Sequence, residues 1–251
     1  MDYIKLTKEN LEKEHICCAI SNNNDVQVAS KKAWLHDRLD EGLVFIKSIE
    51  RGKCFIEYIP AESAWNPIKA DGYMYIDCLW VSGSFKGHGY SNDLLGECIR
   101  DSKEKGKIGL CILSSAKKIP FLADPKYLKY KGFRVCDSAT NGIELWYLPF
   151  TEDAKKPSFR ENAKDPRVEE SGYVLYYTNQ CPFNAKYVPI LEEVARERSV
   201  PFKAIRITTR EEAQNAPTPV TTYALFYNGK YVSNEQMNDK RFIKLIEKNG
   251  L

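Results

Sequence analysis

Residues 73–95 read YMYIDCLWVSGSFKGHGYSNDLL and decide the fold of the first half of the chain. The stretch begins with an apolar strand pattern, passes through a turn that contains Gly83, Gly87 and Gly89, and continues directly into a helical pattern. Glycines let the backbone take positive φ and approach a ligand closely. Free N–H groups and the dipole at the start of the helix favour an anion. The stretch therefore predicts a site for a phosphate or pyrophosphate, to which Lys86 adds positive charge.

Patterns on both sides of this stretch predict a mixed α/β sheet with flanking helices. Helical periodicity covers residues 10–18, 30–40, 92–105 and 125–130. Strand patterns cover residues 43–49, 53–59, 72–81, 108–113 and 142–148. Gly106 follows the third helical pattern as a stop signal.

Two common phosphate-binding motifs do not fit the glycine-rich turn. A dinucleotide fingerprint needs a third glycine, and Asn92 stands at that position. A P-loop needs Gly-Lys-Ser/Thr, which the turn does not contain. A turn that only connects a strand to a helix stays open as an alternative.

The turn instead resembles the acetyl-CoA motif of the GNAT superfamily of N-acetyltransferases, Arg/Gln-x-x-Gly-x-Gly/Ala. Residues 86–91, KGHGYS, match it with Lys86 for Arg/Gln and Ser91 for Gly/Ala. Residues 127–135, YLKYKGFRV, resemble a second motif of that family, a helix that ends in a Gly-Phe turn. The resemblance spans most of residues 1–150. It implies a GNAT-like domain that uses acetyl-CoA as co-substrate.

The resemblance also implies which residues bind acetyl-CoA and how the reaction proceeds. The end of the central strand, Leu79, Trp80 and Val81, would pair its backbone with the pantetheine arm. The pyrophosphate would bind to N–H groups of the turn, which comprises Lys86, Gly87, His88, Gly89, Tyr90 and Ser91. A primary amine of a small molecule or peptide would attack the thioester directly, without a covalent enzyme intermediate.

The general acid and base are candidates only. The family's usual acid is a tyrosine four residues before the glycine of the Gly-Phe turn, and Leu128 stands there. Tyr127 and Tyr130 flank it and are the candidate acids, although aromatic residues in such a helix more often pack. Asp77 on the central strand is the first candidate base, and Glu57 on the neighbouring strand is the second.

The second half of the chain predicts a smaller domain behind a charged connection. Eleven of the twenty residues in 151–170 are charged, which predicts a linker between domains at 1–150 and 171–251. A strand at 173–177, a helix at 184–198, strands at 202–207 and 222–227, an Asn228-Gly229 turn and a helix at 238–248 follow. This order resembles the thioredoxin fold. The combination of the two halves resembles the YoaP-type arrangement of bacterial GNAT proteins.

Cys181 falls where the thioredoxin resemblance places the first active-site cysteine. A helix N-terminus stabilises a thiolate, so Cys181 is a candidate reactive thiol. Asn184 replaces the second cysteine, which excludes a dithiol cycle within this motif, and residues 216–219 (APTP) resemble the family's cis-proline turn. A relic that only caps the helix is the alternative for Cys181. At the level of function, the alternative to an acetyltransferase is a non-catalytic acyl-CoA sensor or a thiol-handling binding protein that uses Cys181.

Composition excludes several other classes of protein. The formal net charge is +3 from 37 basic and 34 acidic residues, too balanced to indicate a nucleic-acid partner. Apolar runs are far shorter than the roughly 20 residues of a membrane helix, and the first ten residues show no signal-peptide core, so we expect a cytoplasmic protein without membrane contact. The eight cysteines contain no C-x-x-C pair and only three histidines accompany them, so we expect reduced cysteines and no metal site.

Overall fold

The protein folds into two mixed sheets with helices packed against each and a small two-stranded sheet, as seen in a computed structural model that describes residues 1–18 and 22–250. The strands are β1 (Tyr3–Lys5), β2 (Val44–Ser48), β3 (Cys54–Pro60), β4 (Ile68–Lys69), β5 (Tyr73–Val81), β6 (Gly109–Ser115), β7 (Arg134–Ser138), β8 (Ile143–Pro149), β9 (Ser158–Phe159), β10 (Tyr173–Tyr177), β11 (Phe202–Arg206), β12 (Tyr223–Tyr227) and β13 (Lys230–Ser233). The helices are α1 (Val26–Leu39), α2 (Tyr90–Glu104), α3 (Pro125–Tyr130), α4 (Glu161–Lys164), α5 (Asn184–Glu197), α6 (Arg210–Gln214) and α7 (Asp239–Lys248).

The first sheet has the strand order β1-β2-β3-β5-β6-β8-β7. Its parallel pair is β5 with β6, and this pairing joins only Tyr73–Ile76 to Gly109–Ile112. Both strands continue beyond the paired region, β5 to Val81 and β6 to Ser115, so a cleft opens between their carboxyl ends. The predicted mixed α/β sheet is confirmed.

The two faces of this sheet carry different helices. Leu94 and Leu95 of α2 and Leu128 of α3 pack with Met74 in one buried cluster. Val28 and Leu35 of α1 belong to a second cluster on the opposite face, together with Phe45 and Tyr75. The alternation along β5, with Met74 in one cluster and Tyr75 in the other, follows from the two-residue repeat of a strand.

Residues 10–18 are not the helix that their periodicity predicts. They form turns, and Cys17 has a φ of +60°. Ile16, Cys17 and Cys18 are all buried. In a helix, three consecutive side chains would point to different sides, so this burial pattern does not fit a helix on the surface of the sheet. β7 has no strand signal in the sequence because most of its side chains are exposed at the edge of the sheet.

The charged segment 151–170 contains two short elements that pack against the first sheet. β9 pairs with β4, and the side chain of Phe159 is fully buried. The backbone N–H of Phe159 donates to Oδ2 of Asp137 on β7 at 2.9 Å. Ala163 of α4 is also buried, so this segment contributes to the core as well as connecting the two sheets.

The second sheet has the order β11-β10-β12-β13, in which β10 and β11 are parallel and the other pairs antiparallel. Helices α5 and α7 cover one face and share a core with it. Asn228 and Gly229 form the tight turn between β12 and β13, as predicted. The prediction of a cis-proline turn at residues 216–219 is wrong. The described residues contain no cis peptide bond, and the bonds before Pro217 and Pro219 are therefore trans.

The second unit packs directly on the α1 face of the first sheet. Ile207, Ala213 and Val220 share a buried cluster with Trp65 of the first unit. The hydroxyl of Thr221 donates to the carbonyl of Trp65 at 2.5 Å. Further hydrogen bonds join the two units nearby. The two units therefore enclose a space at the cleft between β5 and β6.

Candidate active site

The turn after β5 presents free backbone donors at the start of α2. Gly87 and Gly89 have φ of +89° and +82°, and α2 begins immediately afterwards at Tyr90. Within the described chain, no carbonyl or side chain accepts a hydrogen bond from the N–H groups of residues 87–91. A Cβ at Gly87 or Gly89 would contact nothing within 4 Å, so the surface of the turn is open to a ligand. The exposed Lys86 adjoins it, and the His88 ring stacks on Tyr90 at 5.5 Å.

These features fit the pyrophosphate and pantetheine of acetyl-CoA. Helix N–H groups and the helix dipole stabilise phosphate oxygens, and positive φ at the two glycines aims the turn outward. Leu79, Trp80 and Val81 pair with β3 along one edge of β5. Along the other edge, no described strand pairs with them, so backbone groups there are available to an extended ligand.

A cavity of about 560 Å³ lies where the cleft meets the second unit. Its lining includes four residues from the first unit and two from the second: Glu57, Asp77, Leu79, Trp80, Gln180 and Cys181. The structure therefore brings both carboxylate candidates, part of the predicted pantetheine strand and the candidate thiol to one space. The lining is mostly apolar, which strengthens electrostatic interactions within it.

Glu57 is neutralised by a lysine that sequence reasoning did not select. Lys31 Nζ lies 2.6 Å from Oε2 and 2.8 Å from Oε1 of Glu57, and both side chains are almost fully buried. Burial by itself lowers the pKa of Lys31, but the neighbouring Glu57 carboxylate outweighs it, and the pKa is raised. A carboxylate held by two short charge-assisted bonds is a poor proton acceptor, so this pairing disfavours Glu57 as the base.

Asp77 has the perturbed protonation expected of an acid–base group. Burial and the neighbouring Glu57 carboxylate raise the pKa of Asp77 well above its usual range, while Lys31 and a hydrogen bond from Gln180 act in the opposite direction. Gln180 Nε2 donates this bond to Oδ1 of Asp77 at 3.1 Å. A carboxylate whose pKa is raised holds a proton more tightly than usual, which suits a group that accepts a proton from an amine.

Cys181 lies in the cavity wall as a half-buried free thiol. Burial raises the pKa of Cys181, although hydrogen bonds from Gln236 and from the backbone of Phe183 lower it in part. The Gln236 Nε2–Sγ distance is 3.0 Å. This direction is opposite to the one expected from the helix N-terminus, because α5 begins only at Asn184 and the cavity wall buries the sulfur.

The two candidate tyrosines on α3 lie outside the cavity lining. The Tyr127 hydroxyl donates to the carbonyl of Ser91 at 3.0 Å, which joins α3 to the first turn of α2. Tyr130 is 81% exposed, and its ring contacts the Lys131 ammonium. Leu128 is buried against α2. Tyr75 and Tyr187 are the tyrosines of the described chain that line the cavity.

Three polar residues of the cavity gave no signal in the sequence. Lys31 precedes another lysine in a helical pattern, which is typical of a solvated face. Gln180 and Asn66 are uncharged and lie in loops. Their partners are distant in the chain: Lys31 pairs with Glu57, and Gln180 with Asp77, over 26 and 103 residues. The packing of α1 on the first sheet brings Lys31 to Glu57, and the packing of the two units brings Gln180 to Asp77.

Comparison with known proteins decides the family. The chain is 41% identical over 247 residues, 98% of either chain, to the uncharacterized N-acetyltransferase YoaP of Bacillus subtilis (strain 168). The chain belongs to the YoaP family of N-acetyltransferases. Residues 201–244 of the second unit match the YoaP-like family. The resemblance to GNAT N-acetyltransferases drawn from the turn and the Gly-Phe motif is therefore confirmed, as is the resemblance to YoaP drawn from the combination of the two halves.

Solved acetyltransferases are also similar to this YoaP-family chain. The ribosomal-protein-alanine N-acetyltransferase from Brucella melitensis is 15% identical with a TM-score of 0.42, over 60% of this chain and 100% of that one. The N-acetyltransferase from Staphylococcus aureus Mu50 is 16% identical with a TM-score of 0.43, over 60% and 100%.

No helix among residues 1–18 and 22–250 combines the length and apolar character needed to cross a membrane. Over the same residues, no group of three or more His, Cys, Asp or Glu side chains is arranged to hold a metal ion.

Proposed function

We propose that the protein transfers the acetyl group of acetyl-CoA to a primary amine of a small molecule or peptide by direct attack. The observation that carries this proposal is the continuity of the site. The open turn at Gly87 and Gly89 and the free edge at the end of β5 lead to the cavity that holds Asp77. Membership of the YoaP family of N-acetyltransferases supports the same reaction.

In this proposal the chain's own groups bind acetyl-CoA in three places. The N–H groups of residues 87–91 and the dipole of α2 hold the pyrophosphate, with Lys86 beside it. The unpaired edge of Leu79–Val81 holds the pantetheine arm. The apolar walls of the cleft, which include Leu113 and Leu122, exclude water from the thioester.

Asp77 is the general base of the proposed reaction. An ammonium loses one proton to the Asp77 carboxylate, and the neutral amine then attacks the thioester carbonyl carbon. The C–N bond forms, the C–S bond breaks, and the second amine proton passes to the departing thiolate. Asp77 afterwards releases its proton to solvent. The raised pKa of Asp77 makes this first proton transfer less unfavourable, because it reduces the difference between the pKa of Asp77 and the pKa of an amine.

Residues 171–251 are proposed to be a thioredoxin-like domain that follows an acetyltransferase domain at 1–150 and a connection at 151–170. The strand order β11-β10-β12-β13, with β10 and β11 parallel and a helix after β10, supports this description. The cavity position of Cys181 keeps a thiol-handling role as the second candidate. The raised pKa of Cys181 argues against an activated thiolate, so we place the acetyltransferase first.

Turnover of acetyl-CoA by the full chain tests the proposed function. Release of coenzyme A should depend on added primary amine across a panel of alkyl, aromatic and peptide amines. Asp77→Asn should abolish the amine-dependent rate while acetyl-CoA still stabilises the variant against heat, since a ligand that binds only the folded state raises Tm. Binding of acetyl-CoA without amine-dependent turnover would instead support a non-catalytic acyl-CoA sensor.

A further inference from the structure

Gln180 joins the second unit to the proposed base inside the cavity. Its side chain is 8% exposed, and its Nε2 donates to Oδ1 of Asp77 at 3.1 Å. Its carbonyl oxygen Oε1 is buried and has no hydrogen-bond partner among the described residues. A buried acceptor without a donor is energetically unfavourable, so a ligand that supplies a donor to this oxygen should be bound preferentially.

Asn66 repeats this arrangement in the same cavity wall. It is 4% exposed, and its Nδ2 donates to the carbonyl of Pro219 at 2.9 Å, again between the two units. Its Oδ1 is likewise buried and unpartnered within the described chain. Two amide oxygens in the lining of one cavity thus lack donors, and both amide nitrogens are used to hold the units together.

Among the described charged side chains of the cavity lining, Asp77 is the carboxylate without a cation of its own, since Arg241 is paired with Glu235 at 2.8 Å. Lys31 supplies one positive charge to two carboxylates, Glu57 and Asp77, and both of its short bonds go to Glu57. A second cation beside Asp77 would balance the cluster. The lining also contains aromatic side chains, among them Trp80, Phe121, Phe183 and Tyr187.

We propose that the acceptor site is completed by the second unit, where Gln180 positions Asp77 with its Nε2 and receives an N–H of the acceptor amine with its Oε1. The acceptor class is a primary amine, cationic in solution, on an apolar body. This proposal rests on the proposed acetyl transfer. The cavity of about 560 Å³ also receives the thioester, so the amine belongs to a small molecule or to a single side chain.

Several titratable groups lie near Asp77 and bear on the pH dependence of activity. They are Glu57 on β3, Lys31 on α1, Tyr75 and Cys78 on β5, and Cys111 on β6. Cys18 and Cys181 line the same cavity. Lys31 and Glu57 are joined by two short bonds, and burial raises the pKa values of Tyr75, Cys18, Cys78, Cys111 and Cys181. The acid limb of activity therefore reports Asp77. Loss of the Gln180 hydrogen bond, which lowers the pKa of Asp77, should move that limb to higher pH.

Gln180→Met and Gln214→Met form a matched pair for the test. Gln214 also bonds the two units, since its Nε2 donates to the carbonyls of Glu62 and Ala64, but it is not part of the cavity lining. With n-hexylamine as acceptor, Gln180→Met should raise KM for the amine about tenfold or more and shift the acid limb to higher pH. Its affinity for acetyl-CoA should not change. Gln214→Met should leave the amine KM and the pH limb as in the wild type.

The proposal is overturned if folded Gln180→Met keeps the wild-type amine KM and acid limb, or if Gln214→Met changes them equally. Should Gln180→Met fail to fold, Gln180→Glu is the second variant, because it keeps the shape of the side chain. It must also shift the acid limb of activity to higher pH, since it places a carboxylate against Asp77. Calorimetric binding of n-hexylamine, with n-hexanol as the uncharged control, separates this proposal from the proposed function. A wild type that binds the amine in a Gln180-dependent way but releases no coenzyme A refutes only the transfer reaction. A wild type that binds hexanol as well as hexylamine refutes the cationic acceptor.

Discussion

Lys31 and Glu57 form an ion pair in the interior of the protein, with Nζ 2.6 Å from Oε2 and almost no solvent exposure on either side chain. The pair joins α1 to β3, and both residues line the cavity. The cost of desolvating two charges makes such a pair a weak source of net stability, but it is sensitive to the loss of one partner. The Glu57 carboxylate of this pair also acts on its neighbour, since it contributes to the raised pKa of Asp77.

Removal of one member of this pair should destabilise the protein strongly. Lys31→Met leaves the Glu57 carboxylate buried without a cation, and we expect a loss of about 3–5 kcal/mol in the free energy of unfolding. Urea denaturation measures it. Lys105→Met removes the lysine of an exposed pair with Asp101 on α2 and should cost about 0.5 kcal/mol or less. Equal losses in the two variants would contradict the buried-pair argument.

Asp77→Asn should make the protein more stable at neutral pH and less active. The unfolded chain releases the Asp77 proton near the usual aspartate pKa, whereas the folded chain holds it to higher pH. The folded state thus binds more protons between the two values, and stability falls as pH rises through that window. Asparagine removes this penalty. Thermal unfolding of both proteins across a pH series should show the difference growing with pH; a wild type that stays the more stable at neutral pH contradicts the raised pKa.

Gly89→Val should weaken acetyl-CoA binding by about tenfold or more, because a side chain at this turn occupies the open approach and is strained at positive φ. Gly142→Val is the matched control. Gly142 has the same φ of +82° and equally open surroundings, but it lies in the turn before β8. Both variants should lose similar stability, and only the first should lose affinity in a calorimetric titration. Equal acetyl-CoA affinities in the two variants would show that the turn only connects β5 to α2.

Tyr127→Phe should act on acetyl-CoA binding more than on chemistry. It removes a hydrogen bond to the carbonyl of Ser91, at the edge of the turn, and we expect KM for acetyl-CoA to rise by less than about tenfold. Tyr130→Phe should change nothing, since its side chain is exposed. Steady-state kinetics with varied acetyl-CoA distinguish the outcomes. A collapse of kcat in Tyr127→Phe, with KM unchanged, would restore this residue as the general acid.

The sequence could predict what depends on local pattern. The strand, turn and helix at residues 73–95, the helix at 125–130 and the Asn228-Gly229 turn carry their own signals of periodicity, capping and positive φ. The contacts around Asp77 and Glu57 carry no such local signal. Neither a lysine in a helical pattern nor a glutamine in a loop indicates a partner that lies 26 or 103 residues away in the chain. The position of the candidate thiol was predictable, but the direction of its pKa was not, because burial depends on the packing of the two units.

Cys181 should react first among the eight cysteines with iodoacetamide, although slowly near neutral pH. Five cysteines are buried, while Cys78, Cys136 and Cys181 are half-buried. Burial raises the pKa of Cys136 to about 12 and that of Cys78 well above its usual value. At Cys181 the donors Gln236 and Phe183 offset part of this effect. The labelling rate should therefore increase about tenfold per pH unit above neutrality, because the thiolate is the reacting form.

Gln236→Met gives the sharper form of this prediction. Loss of the 3.0 Å hydrogen bond to Sγ removes a group that lowers the pKa of Cys181, so labelling at a given pH should become slower even though the thiol is no less accessible. Saturating acetyl-CoA should protect both Cys181 and Cys78, since both line the cavity that receives the thioester, and should leave Cys136 unchanged because it lies outside that lining. Peptide mass spectrometry after brief labelling follows all three sites in one experiment. Faster labelling of Cys181 in Gln236→Met would show that access, not thiolate stability, controls this thiol, and equal protection of Cys136 would show that acetyl-CoA acts by stabilising the whole fold.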